Sequence, residues 1–224
     1  MKMNKLGAAV MTATIAMSGV NVANAYEAGD MVVRAGIVTV EPKNSPNGDI
    51  LVAANGADSG LDVAVKNDTQ LGLNFVYMLS QNVGLEVLAA TPFEHDIYVD
   101  NTALKVGSTS HLPPTLSLQY FFLGDTDSKF QPYVGLGVNY TWFFDESADS
   151  SNQFSNLDLD DSMGFAAQVG ADYFITDNIL VNASMYHIDI DTDATVYSGI
   201  HGTTVKSDVS IDPTVYMFSL GYKL

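Results

Sequence analysis

Four histidines, 26 carboxylates and nine basic side chains carry whatever proton, metal or ion-pair chemistry this 224-residue sequence can do. Spacing sorts them into three groups. In "HIDIDTD" (187–193), His187, Asp189, Asp191 and Asp193 recur every second residue. On a strand they share one face, and imidazole with carboxylates can bind a divalent ion. Alternate strand residues stand about 7 Å apart, so one ion reaches two of them at best. The expectation is a solvated acidic rim and no metal site. In the second group, His95 lies between Glu94 and Asp96, and a histidine oriented by a carboxylate is the core of many hydrolytic sites. Neighbours along a strand point to opposite faces, however. No G-x-S-x-G motif or Ser/His/Asp constellation accompanies His95, His111, His187 or His201. The sequence therefore assigns no catalytic residue and no cofactor. The third group is Arg34, Glu86, Asp172 and Lys223, isolated charges in otherwise uncharged stretches. Enclosed together, two cations and two anions must pair, because an unpaired buried charge costs several kcal/mol.

What positions these groups is a period-2 pattern. The chain ends "VYMFSLGYKL", with Tyr216, Phe218, Leu220, Tyr222 and Leu224 on one face. Seven earlier stretches repeat it, among them Leu71, Leu73, Phe75, Tyr77 and Leu79 opposed by Gln70, Gly72, Asn74, Val76 and Met78. Another sets Val134, Leu136, Val138, Tyr140 and Trp142 against Tyr133, Gly135, Gly137, Asn139 and Thr141. A third reads Leu85, Val87, Ala89 and Phe93. Alternation of this kind marks strands. The apolar stripes hold no charge, while the opposite faces are rich in Gly, Asn, Gln, Ser and Thr. A soluble sandwich has the reverse bias, so the apolar face is the one that meets lipid. Eight strands enclose an interior that side chains just fill, and stretches of about ten residues suit a tilted bilayer crossing. Links after the second, fourth and sixth strands are short; those near 42–66, 96–111, 145–161 and 191–209 are long. The predicted fold is all-β: an eight-stranded antiparallel transmembrane up-and-down barrel with short periplasmic turns and long extracellular loops. Loop 145–161, with six carboxylates and no basic residue, is expected to be mobile and hydrated.

The totals agree. Lys2 and Lys5, the apolar run to Val20 and Ala23-Asn24-Ala25 predict a cleaved secretory signal at 1–25, leaving 26–224 as the barrel. A net charge of −17 argues against nucleic acid. Without cysteine there is neither a disulfide nor a Cys-based zinc site.

Six long segments in order, "NDTQLGLNFVYM" (67–78), "VGLEVLAATPFEHDI" (83–97), "HLPPTLSLQYFF" (111–122), "SKFQPYVGLGVNYTWFFD" (128–145), "DSMGFAAQVGADYFI" (161–175) and "VNASMYHIDIDT" (181–192), resemble the outer membrane protein W family. The resemblance implies an outer-membrane barrel of a Gram-negative bacterium with a narrow apolar channel, associated with uptake of small hydrophobic compounds. It also implies insertion by the barrel-assembly machinery, lipid and lipopolysaccharide as surroundings, and service in some relatives as a colicin or phage receptor. Two positions depart from the pattern: Leu224 stands where a terminal Phe is common, and Met163 where the family has Trp. The family's constriction then corresponds to a gate of Leu88 with Met163, although the alternation puts Met163 on the lipid side.

The four charges fall in the periplasmic half, where paired they form a plug. Above them the lining reads Val38, Val40, Leu88, Ala90, Tyr186, Ile188 and Ile190, an apolar pocket open to the outside. With the floor shut, a solute leaves sideways. Pro92, Pro113 and Pro114 donate no ladder hydrogen bonds and mark a seam for lateral exit between the third and fourth strands. The expected function is uptake of small hydrophobic molecules. The alternatives are a non-transporting surface barrel, acting in envelope stress or as a receptor, and a narrow pore for polar solutes.

Overall fold

Period-2 sequence becomes strand almost everywhere in the computed structural model, which describes residues 25–43, 52–53, 63–99, 103–200 and 202–224. Most of the expected signal (1–24), most of the connection 42–66, and His201 lie outside the described residues. The first elements are β1 (Met31–Glu41), β2 (Val52–Ala53), β3 (Val63–Val65), β4 (Asp68–Met78) and β5 (Val83–Ala90). Then come β6 (Phe93–Val99), β7 (Lys105–Leu112), β8 (Thr115–Phe121), β9 (Phe130–Ala148) and β10 (Phe154–Leu159). The last are β11 (Ser162–Phe174), β12 (Ile179–Ile188), β13 (Asp191–Ser198), β14 (Thr203–Ser210) and β15 (Thr214–Lys223).

Eight of these close a barrel. The order is β11-β12-β15-β1-β4-β5-β8-β9, and β9 pairs back onto β11. Every pairing is antiparallel. Closure leaves this sheet no free edge, the condition for crossing a bilayer with strands. Among the described residues no helix is long and apolar enough to cross. The outer wall is apolar and bare: Leu71, Leu136, Phe165 and Leu220 are 65–74% exposed. Inside, Arg34, Glu86, Gln131 and Asp172 have no exposure at all. Apolar outside and polar inside is the distribution of a barrel solvated by lipid. Gly170 serves the packing directly, since a Cβ there would stand 2.5 Å from the Tyr133 ring.

The long connections are built differently from the predicted loops. Two of the four are β-hairpins, β6–β7 and β13–β14, and a third sends the top of β9 and β10 into different sheets. At 19 residues β9 is about twice a membrane crossing. Above Trp142, β9 pairs with β7, while β10 pairs with β13. The cylinder thus divides into two sheets, β9-β7-β6-β3 and β10-β13-β14-β2. Ile97, Val99 and Val106 of one pack against Phe154, Val196 and Val205 of the other. Segment 145–161, expected to be mobile, is therefore largely strand. Its inner side buries Phe154 and Leu159.

Two consecutive strands, β12 and β13, explain the change. From Ile179 to Tyr197 the odd residues face outward and the even ones inward. The outward set runs Ile179, Val181, Ala183, Met185, then His187, Asp189, Asp191, Asp193. The inward set runs Leu180, Asn182, Ser184, then Tyr186, Ile188, Ile190. Without any change of register, the apolar face moves from the outside to the inside near residue 187. Below that level the solvent is lipid; above it, water.

Candidate functional site

The interior has two storeys. In the lower one, β1 supplies Arg34, β5 Glu86 and β11 Asp172, all fully buried. Arg34 Nη2 lies 2.5 Å from Asp172 Oδ2, and Nη1 lies 3.9 Å from Glu86 Oε2. Amides from neighbouring strands complete the network. Asn74 accepts from Arg34 at 3.0 Å and donates to Glu86 at 2.6 Å. Gln168 donates to Glu86 at 2.8 Å, Gln119 donates to the same carboxylate, and Asn182 donates to Asp172 at 2.8 Å. Shared donors let three charges survive without water, because each lone pair exposed by burial must find a proton. Beneath them lies an apolar base of Val32, Val76, Met78, Phe121, Tyr133 and Leu180, into which Tyr26 is inserted. The Tyr26 ring packs 4.7 Å from Phe121 and 5.4 Å from Phe174, and its hydroxyl donates to Asp172.

Of the four predicted plug residues, Arg34, Glu86 and Asp172 meet, and Lys223 does not. Lys223 stands one step below, donating to the Ala25 carbonyl at 2.9 Å and pairing with Asp30 at 3.7 Å. Its long stem near the barrel end reaches the periplasmic rim more easily than the centre. Tyr26 has no signal in the sequence, because it precedes the first strand and only barrel closure brings it under Asp172. The amides are legible in the sequence as polar residues on the mixed face, but nothing there ties them to the charges they serve.

In the upper storey Val38, Val40, Leu88, Tyr186, Ile188 and Ile190 are buried in one cluster, with Ala90 packed against it. Tyr186 joins the storeys: its ring belongs to this cluster, while its hydroxyl lies 3.3 Å from Asn74 and 3.4 Å from Glu86. Sequence reasoning misses Phe93, Phe143, Leu159, Val215 and Met217 from the same cluster. Phe93, expected on the lipid face, is 1% exposed and points inward. Inward residues are even on β5 and odd on β6, so the alternation slips by one residue at Pro92. The Leu88–Met163 gate is also corrected. Ser162 pairs with Thr141 and Met163 with Tyr140 without a bulge, so Ser162 turns inward and Met163 is 76% exposed on the outer wall.

Above the cluster, between the two extracellular sheets, lies a small cleft of about 50 Å³. Val40, Ile97, Val106, Phe143, Leu157 and Ile190 line it, with His95, Thr109 and His111. Burial holds both histidines neutral: it takes His95 below the usual range and His111 down to about 3, with neighbouring His95 adding to the shift. His187 and Asp189, 4.0 Å apart, are on the outside and half exposed.

The three prolines lie where the wall is interrupted. The last β5–β8 pair is Leu88↔Thr115 and the first β6–β7 pair is Phe93↔His111. Pro92, Pro113 and Pro114 fall in the stretch between these two pairs, where no cross-strand ladder is formed. The carbonyls of Pro113 and Pro114 are held from the other side by Asn139, at 3.0 and 3.2 Å.

Residues 27–224 match the OmpW family. Outer membrane protein W of Escherichia coli is 45% identical over 224 residues, spanning 99% of this chain and 100% of the relative. Outer membrane protein AlkL of Ectopseudomonas oleovorans is 30% identical over 177 residues, 78% of this chain and 73% of its own. The crystal structure of the outer membrane protein OprG from Pseudomonas aeruginosa superposes with a TM-score of 0.83 at 41% identity, covering 89% of this chain and 97% of that one.

Proposed function

The chain belongs to the OmpW family of outer-membrane β-barrels, and from that premise we propose that it admits small apolar molecules from outside and releases them sideways into the membrane. The observation that carries this reading is the order of the layers. An apolar chamber between the extracellular sheets stands on a floor of buried ion pairs and aromatic rings. A greasy solute gains by leaving water for the chamber, at roughly 25 cal/mol per Å² of apolar area. To cross the floor it would have to displace Arg34 from Asp172 and Glu86. The exit we assign is the interruption at 89–92 and 112–114, where no cross-strand pair joins β5 and β6 to β7 and β8, so release there breaks no ladder hydrogen bond.

A second reading has its own observation. The two sheets hold their acidic residues outward, well beyond the lipid, as a rigid surface suited to a receptor or envelope role without transport. Uptake into vesicles with a lipopolysaccharide outer leaflet separates the two. An apolar tracer should enter faster than a polar solute of equal size. Leu88→Arg, which puts a charge into a position 5% exposed, should abolish that entry in a correctly folded barrel. Entry of the polar solute instead would mean an open floor, and entry of neither would leave the surface role.

A further inference from the structure

The chamber is apolar, yet it contains a stack of aromatic and imidazole rings that apolar packing alone does not require. His111 lies 5.4 Å from Phe93, 4.9 Å from His95 and 5.7 Å from Phe143, centroid to centroid. His95 is committed: its Nδ1 donates to the Lys66 carbonyl at 2.6 Å. Thr109 is committed too, donating to the Ser110 carbonyl at 3.3 Å. His111 is not. It is 5% exposed, and its Nδ1, buried with no partner, is the unsatisfied side-chain atom of the cleft lining among the described residues. A buried polar atom left unpaired is destabilising unless something outside the chain completes it.

We infer that His111 Nδ1 is the polar anchor of the chamber, and that the preferred solute is an uncharged apolar body bearing one hydroxyl or carbonyl oxygen. This inference rests on the channel reading above and narrows it. A neutral imidazole accepts from a hydroxyl in one tautomer and donates to a carbonyl in the other, so one ring serves both oxygens. The flat rings of Phe93 and Phe143 flank the anchor and suit a planar or chain-like body. Among the described residues no Lys or Arg lines the cleft, so a carboxylate would enter without a counter-ion and is disfavoured. Selection is therefore for mono-oxygenated solutes over both hydrocarbons and anions.

The test uses the full barrel in lipid nanodiscs with two probes of one shape, naphthalene and 2-naphthol, read by ¹⁵N shifts of the histidine rings. A single neutral hydrogen bond should make 2-naphthol bind about three- to tenfold tighter and move the His111 Nδ1 resonance, whereas naphthalene leaves that resonance in place. In His111→Phe the ratio of the two affinities should fall toward one. Equal binding of the two probes in the parent, or an unmoved His111 signal with 2-naphthol bound, overturns the anchor and leaves the channel standing. Binding of neither probe overturns both. Should His111→Phe not fold, the shift in the parent protein decides alone.

Discussion

Arg34 shows how one residue obliges others. A guanidinium with no exposure needs counter-charge and acceptors within reach, and Asp172, Glu86 and Asn74 supply them from three other strands. Removing Asp172 strips Arg34 of its close counter-charge while it stays buried, at about 3–5 kcal/mol. Tyr26 tests the floor without removing an ion. Its ring fills the base between Phe121 and Phe174, and its hydroxyl donates to Asp172. Tyr26→Ala should open a path for small ions, seen as new conductance in planar bilayers, while Tyr26→Phe should stay sealed because the ring remains. Equal conductance in both variants would show that the charged layer seals by itself. At this scale the sequence is partly readable. Lone charges on uncharged strands advertise burial, so the alternation alone gathers Arg34, Glu86 and Asp172 on one inner face. It does not tell Lys223 from them, because strand position fixes a height and not how far a flexible stem reaches.

At the scale of elements, the strands inside lipid are legible because lipid forbids charge on the outward face and so writes an uninterrupted stripe. The ribbons above are not, because their apolar residues lie on the opposite face and in shorter runs. Pro92 adds a slip of one residue that no stripe carries across. The two extracellular sheets hold together through a small core, Ile97, Val99 and Val106 against Phe154, Val196 and Val205. Val196 is 3% exposed there. Val196→Asp should separate the sheets, exposing the ribbons to limited proteolysis while the lower barrel keeps its heat-modifiable migration on gels. Ribbons that remain resistant would mean that pairing within each sheet suffices without contact between them.

For the whole molecule, the decisive fact is that the apolar outer wall and the buried polar interior invert the order of a soluble protein. Leu136, 72% exposed between Phe130 and Trp142, stands near the middle of that wall. Leu136→Arg should cost about 2–4 kcal/mol at the bilayer midplane, visible as a lower urea midpoint for folding into vesicles. The same change made at Asp193, above the lipid, should be nearly silent. A comparable loss at both positions would refute the lipid-facing assignment of the wall.

The exchange of faces near residue 187 is a waterline. Sinking by one alternate pair would drag Asp189 and its neighbours into hydrocarbon, and rising by one would lift Met185 into water, so the molecule has a single draught. A bilayer of the wrong thickness must pinch or swell to meet it. The break at Pro92, Pro113 and Pro114 is fixed to the same hull. A solute released by the proposed exit would therefore be set down at a depth the barrel itself dictates, whichever membrane it floats in.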